Sequence, residues 1–158
     1  MDLAAVARRL ELADLYAAYA ACLDADRLEA WPDFFTEDCH YRITSAENHE
    51  AGLPLGLIYA SSRGMLKDRV SALREANIYE PQRYRHLISC VVPAGDGDAL
   101  DVEASFLVVR TMQDGAMTLF AAGRYIDRVV RGAGGWKFAK KLVVLDSRRI
   151  DTLLAIPL

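Results

Sequence analysis

The chain has 158 residues, 53% of them hydrophobic and 26% charged, with a net charge of −3. A chain of this length buries roughly 70% of its unfolded surface, so residues 1–158 are read as one domain with one core. The balance excludes a disordered chain and a nucleic-acid-binding tract, and no apolar run reaches the ~18 residues of a membrane span. Asp2, Arg8 and Arg9 stand where a secretory signal would be apolar, so a cytoplasmic protein is expected.

Leu12, Leu15, Tyr16, Tyr19, Cys22 and Leu23 recur three and four residues apart, which predicts an amphipathic helix from Asp2 to Leu23, ended by Asp24-Ala25-Asp26. A short helix from Arg27 to Phe34 and a strand from Cys39 to Thr44 follow, the strand carrying Tyr41 and Ile43 on its apolar side. Trp31, Phe34 and Phe35 make an aromatic plug suited to the mouth between helices and a sheet, since each ring buries on the order of 150–250 Å². Glycines, a proline and mixed charge predict a loop over 47–56. Leu66, Val70 and Leu73 place the last helix, from Ser62 to Asn77.

Beyond Tyr84 the period becomes two: Tyr84, His86, Ile88, Cys90 and Val92 share one face, and Arg85, Leu87, Ser89 and Val91 the other. Glycine-rich turns at 94–98, 113–115 and 132–135 cut the remainder into strands from Ala99 to Met112, Ala116 to Val130 and Trp136 to Leu145. Short connections predict an antiparallel meander, and strands this long must twist and bulge, with Gly123 the expected bend. In the last strand Trp136, Phe138, Leu142 and Val144 are read as facing the helices, with Lys137 and Lys141 solvated. Helices first and a curved sheet afterwards describe an α+β roll around a cone-shaped hollow. Cys22, Cys39 and Cys90 each sit in an apolar pattern, which predicts reduced, buried thiols.

That order resembles the small (beta) subunit of Rieske-type aromatic-ring-hydroxylating dioxygenases over nearly the whole chain. The resemblance is carried by Trp31-Pro32-Asp33-Phe34-Phe35-Thr36-Glu37-Asp38-Cys39-His40-Tyr41-Arg42, by Met65-Leu66-Lys67-Asp68-Arg69-Val70-Ser71-Ala72-Leu73-Arg74, and by Asn77-Ile78-Tyr79-Glu80. Arg83-Tyr84-Arg85-His86, Phe120-Ala121-Ala122-Gly123-Arg124-Tyr125 and the ending Asp151-Thr152-Leu153-Leu154-Ala155-Ile156-Pro157-Leu158 extend it. It implies a cystatin-like or NTF2-like roll and a non-catalytic scaffold that trimerises and holds three catalytic alpha subunits as α3β3. It further implies no cofactor in this chain, the Rieske 2Fe-2S cluster and mononuclear Fe(II) residing in the alpha subunit. Glu47-Asn48-His49 and the Leu-Ala-Ile-Pro-Leu ending resemble small subunits whose complexes act on aromatic carboxylates such as terephthalate, anthranilate or salicylate.

The residues themselves agree with a subunit lacking metal chemistry. A Rieske cluster needs paired Cys and His elements, whereas Cys39 and His40 are adjacent and so point to opposite faces of a strand. His40, His49 and His86 show no metal-ligand spacing, so no catalytic, cofactor-binding or metal residue is assigned. Arg69, Arg83, Arg85 and His86, with Arg74, are candidates for a basic partner surface; the bland reading is ion pairing with Glu75, Glu80 or Asp127. The apolar tail, Leu153, Leu154, Ile156 and Leu158, is expected to pack on a neighbouring subunit.

Two other functions use the same fold. A stand-alone isomerase- or dehydratase-like enzyme would work through Tyr16, Tyr19, Asp24, Tyr41 and His86, with a buried, raised-pKa carboxylate beside a tyrosine as its signature. The isomerase general-base position falls near Ile43, which carries no proton-accepting group. A small-molecule binding module would line its pocket with Tyr16, Tyr19, Tyr41 and His86. A scaffold would instead fill the hollow with aromatic and leucine side chains.

Overall fold

A computed structural model describes residues 2–54, 56–76, 79–150 and 154–158. Helix α1 spans Leu3–Asp24, started by the Asp2 carboxylate, which accepts from the Ala4 amide at 3.0 Å. Its end is a Schellman turn: Asp26 sits at φ 57°, its amide reaches the Leu23 carbonyl, and the Arg27 amide reaches that of Cys22. Leu12, Tyr16, Tyr19, Cys22 and Leu23 form the buried stripe that the periodicity predicts.

A 3₁₀ helix, Leu28–Phe34, leads straight into β1, Phe35–Ser45, which starts four residues earlier than expected. Two elements lie inside or beside the predicted loop. Ala46–Glu50 forms a one-turn helix, α2, capped by Ser45, and Ile58–Ala60 forms a short strand, β2, antiparallel to β1. Helix α3, Arg63–Glu75, is capped by the Ser62 hydroxyl and buries Leu66, Val70 and Leu73; its expected stop, Asn77, lies outside the described residues.

Four long strands complete the chain: β3, Gln82–Ala94; β4, Ala99–Met112; β5, Met117–Gly132; and β6, Gly135–Leu145. They form the expected meander, and β6 then pairs in parallel with β1, giving one sheet in the order β2-β1-β6-β5-β4-β3. The sheet curls around α1, which touches both β3 and β6, and it stays open, with β2 and β3 as its edges.

Bulges decide which residues face the helices. Register slips between Ser89 and Val92, with Cys90 at φ 53°, so Val91 turns toward the core, Val92 is exposed, and Cys90 is exposed instead of buried. A second slip leaves Ala139 unpaired against β5, so Phe138 and Lys141 point the same way. Lys141 is therefore wholly buried, which corrects its reading as a solvated residue, while Leu142 and Val144 fall on the opposite face, outside the core cluster. Gly123 lies where two backbones approach: an added Cβ would sit 2.0 Å from the Val144 carbonyl oxygen. The nearest bulge on that strand pair is at Val108/Val109, not at Gly123.

Candidate functional site

The hollow inside the curled sheet is filled. Trp31, Phe35 and Tyr41 meet edge to face, with Trp31 5.5 Å from Phe35 and 5.2 Å from Tyr41, and Tyr16, Tyr19, Tyr125 and Phe138 continue the cluster inward. Trp31 and Phe35 of the aromatic plug are thus part of the core, and Phe34 packs half-buried against it.

Residues 154–158 close the cone from its mouth. The Tyr19 hydroxyl donates to the Leu158 carbonyl at 2.8 Å, the Tyr41 hydroxyl donates to the same oxygen at 3.0 Å, and the Leu158 amide donates back to Tyr41 at 3.2 Å. Trp31 Nε1 in turn donates to Tyr19 at 3.2 Å. Leu154, Ile156 and Leu158 are buried against their own chain, so the expectation that this tail covers a neighbouring subunit is corrected; Leu153 lies outside the described residues. Arg69, read as a surface group, is half-buried and points Nη2 at the Leu154 carbonyl, 3.4 Å away.

Two polar clusters lie deeper. Asp24, at the end of α1, accepts from the His86 backbone amide at 3.1 and 2.9 Å, and its Oδ1 lies 2.6 Å from His86 Nδ1. Nε2 is buried and has no hydrogen-bond partner among the described residues.

The second cluster is Tyr16, Asp127 and Lys141. Asp127 lies directly across from Lys141 on the β5–β6 ladder, and its Oδ2 accepts from Lys141 Nζ at 2.7 Å and from the Tyr16 hydroxyl at 2.5 Å. Lys141 Nζ also stands 3.6 Å from the Tyr125 ring centre and 4.2 Å from that of Phe138. Burial pulls the ammonium down to about 8, against the pull of Asp127, and burial pushes the Asp127 carboxyl up. Desolvation also raises the phenols of Tyr16, Tyr19, Tyr41 and Tyr125.

A raised carboxyl beside a tyrosine is the signature expected of an enzyme of this roll, and it occurs at Asp127 and Tyr16. Yet Asp127, Lys141 and Tyr16 are buried and bonded to one another, and Tyr19 and Tyr41 are held by the tail. Asp127 therefore pairs not with the surface arginines expected for it but with Lys141, a buried lysine that the sequence barely announces. Its one signal is that Lys140 and Lys141 are adjacent in a strand, so one of them must point inward.

Other candidates separate. Arg83 and Arg85 are exposed and form no ion pair among the described residues, while Arg74 binds Asp26 and Glu29, not the expected Glu75 or Glu80. Arg148 pairs with Glu47 at 3.4 Å. Cys39 is buried and His40 turns outward to Tyr59, and among the described residues no three His, Cys, Asp or Glu side chains are placed to hold a metal ion. A Rieske cluster or mononuclear iron therefore does not fit this chain's described residues.

Residues 18–152 match the family model described as "Ring hydroxylating beta subunit". The chain belongs to that family. A terephthalate 1,2-dioxygenase terminal oxygenase beta subunit from Comamonas sp is 44% identical over 150 residues, covering 94% of this chain and 97% of that one. The anthranilate 1,2-dioxygenase small subunit of Burkholderia cepacia is 45% identical over 142 residues, covering 89% and 88%. Among solved structures, a beta subunit assigned to an aromatic-ring-hydroxylating dioxygenase of Novosphingobium aromaticivorans superposes with a TM-score of 0.89 at 42% identity, covering 99% of this chain and 100% of that one. The beta subunit thus has the cystatin-like or NTF2-like α+β roll, with helices packed on a curled, open sheet. It is a ring-hydroxylating dioxygenase subunit, and the stand-alone isomerase or dehydratase reading is not favoured.

Proposed function

We propose that this beta subunit is the non-catalytic scaffold of an oxygenase acting on aromatic carboxylates. It would self-associate as a trimer and hold three catalytic alpha subunits in an α3β3 assembly. The alpha subunit would carry the Rieske 2Fe-2S cluster and the mononuclear iron, and the complex would work in the cytoplasm. The observation that carries this reading is the occupied cone: the tail, the tyrosines and the Asp127–Lys141 pair fill the space that a pocket would need. Terephthalate and anthranilate, named for its relatives, are both aromatic carboxylates, which supports the substrate class.

Co-expression with the large subunit, followed by native mass measurement and iron assay of each separated polypeptide, tests the proposal. Iron is expected with the larger chain only, in a complex with equal numbers of both chains. Stoichiometric iron in this chain, or turnover of an aromatic acid by it alone, would overturn the reading.

A further inference from the structure

The outer face of the sheet has two halves. Register sets Arg83, Thr111 and Met117 in one row, Arg85, Val109 and Leu119 in the next, and Leu87, Leu107 and Ala122 in a third. Leu87, Met117 and Leu119 are 52%, 68% and 75% exposed, a large apolar patch for a soluble surface. Further along the same face the charges neutralise one another, Arg124 with Glu103 at 3.8 Å and Arg128 with Asp101 at 3.0 Å. Arg83 and Arg85, at the edge of the apolar half, have no carboxylate in reach among the described residues.

A groove on another part of the chain has the opposite character. It encloses about 630 Å³ between α1, the 3₁₀ helix and the β5–β6 turn, with Leu15, Phe34 and Trp136 supplying apolar lining and Asp14 and Asp33 at its rim. Both carboxylates are exposed and without an ion-pair partner among the described residues. Of the two cations lining the groove, Arg131 is committed to Glu11 at 2.5 Å, and Lys137 is bound to the Asp33 backbone carbonyl.

We infer that the Arg83–Arg85–Leu119 face of one beta subunit seats on the Asp14–Asp33 groove of a second copy, head to tail. The inference rests on the self-association proposed above and names its two surfaces. The occupant is a second copy because one chain carries both halves of the match: an apolar patch edged by unpaired arginines, and an apolar-lined groove edged by unpaired carboxylates. Two different patches meeting make a heterologous contact, which closes into a ring when the rotation permits, and a trimer is the smallest such ring above a dimer.

Sedimentation of the purified chain and of its complex with the large subunit tests this. Arg83→Glu with Arg85→Glu is expected to weaken self-association by at least about tenfold, Asp14→Arg with Asp33→Arg to do the same, and the four changes together to restore it. All four residues are exposed, and unchanged thermal unfolding of each variant separates lost contact from lost folding. A wild-type chain that stays monomeric, alone and in the complex, overturns the self-association reading itself. Wild-type association that survives both charge reversals overturns only the choice of surfaces. Reversal that spares self-association but abolishes capture of the large subunit assigns the face to that subunit and also overturns the inference.

Discussion

Tyr41 and Leu158, 117 residues apart, exchange hydrogen bonds in both directions: the phenol donates to the Leu158 carbonyl at 3.0 Å and accepts from its amide at 3.2 Å. This contact joins β1 to the last described segment, and burial of Leu154, Ile156 and Leu158 stabilises it by roughly 1.5–3 kcal/mol per side chain. The tail is thus a member of the core. Removing residues 154–158 should lower stability by several kcal/mol, and Tyr19→Phe with Tyr41→Phe, which strands a buried carbonyl, by about 1–3 kcal/mol. Denaturant unfolding measures both; unchanged midpoints would show the tail to be dispensable.

The Asp127–Lys141 pair invites a double-mutant cycle. Breaking one side of a buried ion pair leaves an unpaired charge and costs about 3–5 kcal/mol, whereas replacing both with apolar groups is often near neutral. Lys141→Met and Asp127→Leu should each be strongly destabilising, and the double variant should be more stable than either single one. Strict additivity would mean that the 2.7 Å contact contributes no coupling.

Thiol chemistry should separate the cysteines. Cys22 and Cys39 are buried, and burial raises both thiols, while Cys90 sits exposed at the β3 bulge. In native protein a disulfide reagent should modify Cys90 rapidly and the other two only on unfolding. Rapid loss of all three thiols would contradict the packing around α1 and β1.

Alkaline pH should unfold the protein through its tyrosines. Tyr16, Tyr19, Tyr41 and Tyr125 all hold their protons above the ordinary value of 10.0. Their folded-state values lie above the unfolded one, so the stability they contribute is full below pH 10 and is lost as pH rises beyond it. Tyrosinate absorbance from these four should appear together with loss of helix signal. A smooth titration of all seven tyrosines near pH 10 with the fold intact would show the cluster to be wet.

Local periodicity made α1, α3 and the meander legible: Leu66, Val70 and Leu73 could only be one helix face, and Tyr84 and His86 one strand face. What escaped depends on contacts distant in sequence. The bulge at Ala139 turns Lys141 inward, and its partner Asp127 lies on a different strand. Parallel pairing of β1 with β6 joins segments about a hundred residues apart and leaves no local pattern. Strand β2 was hidden because Pro54 and Gly56 speak more strongly than three residues of strand. The tail's composition says that it must be buried, but not whether its own chain or a neighbour does so. Asp24 and His86 were both legible as candidates; their 2.6 Å contact, across 62 positions, was not.

The claim that this subunit supports chemistry without performing it is tested most directly by turnover of the assembled oxygenase carrying Asp24→Asn or His86→Ala, expressed per intact complex. Loss of a true general acid or base costs on the order of a hundredfold to ten-thousandfold. Rates within a fewfold of wild type are expected; a fall of about a thousandfold in fully assembled complex would show that this subunit takes part in the chemistry.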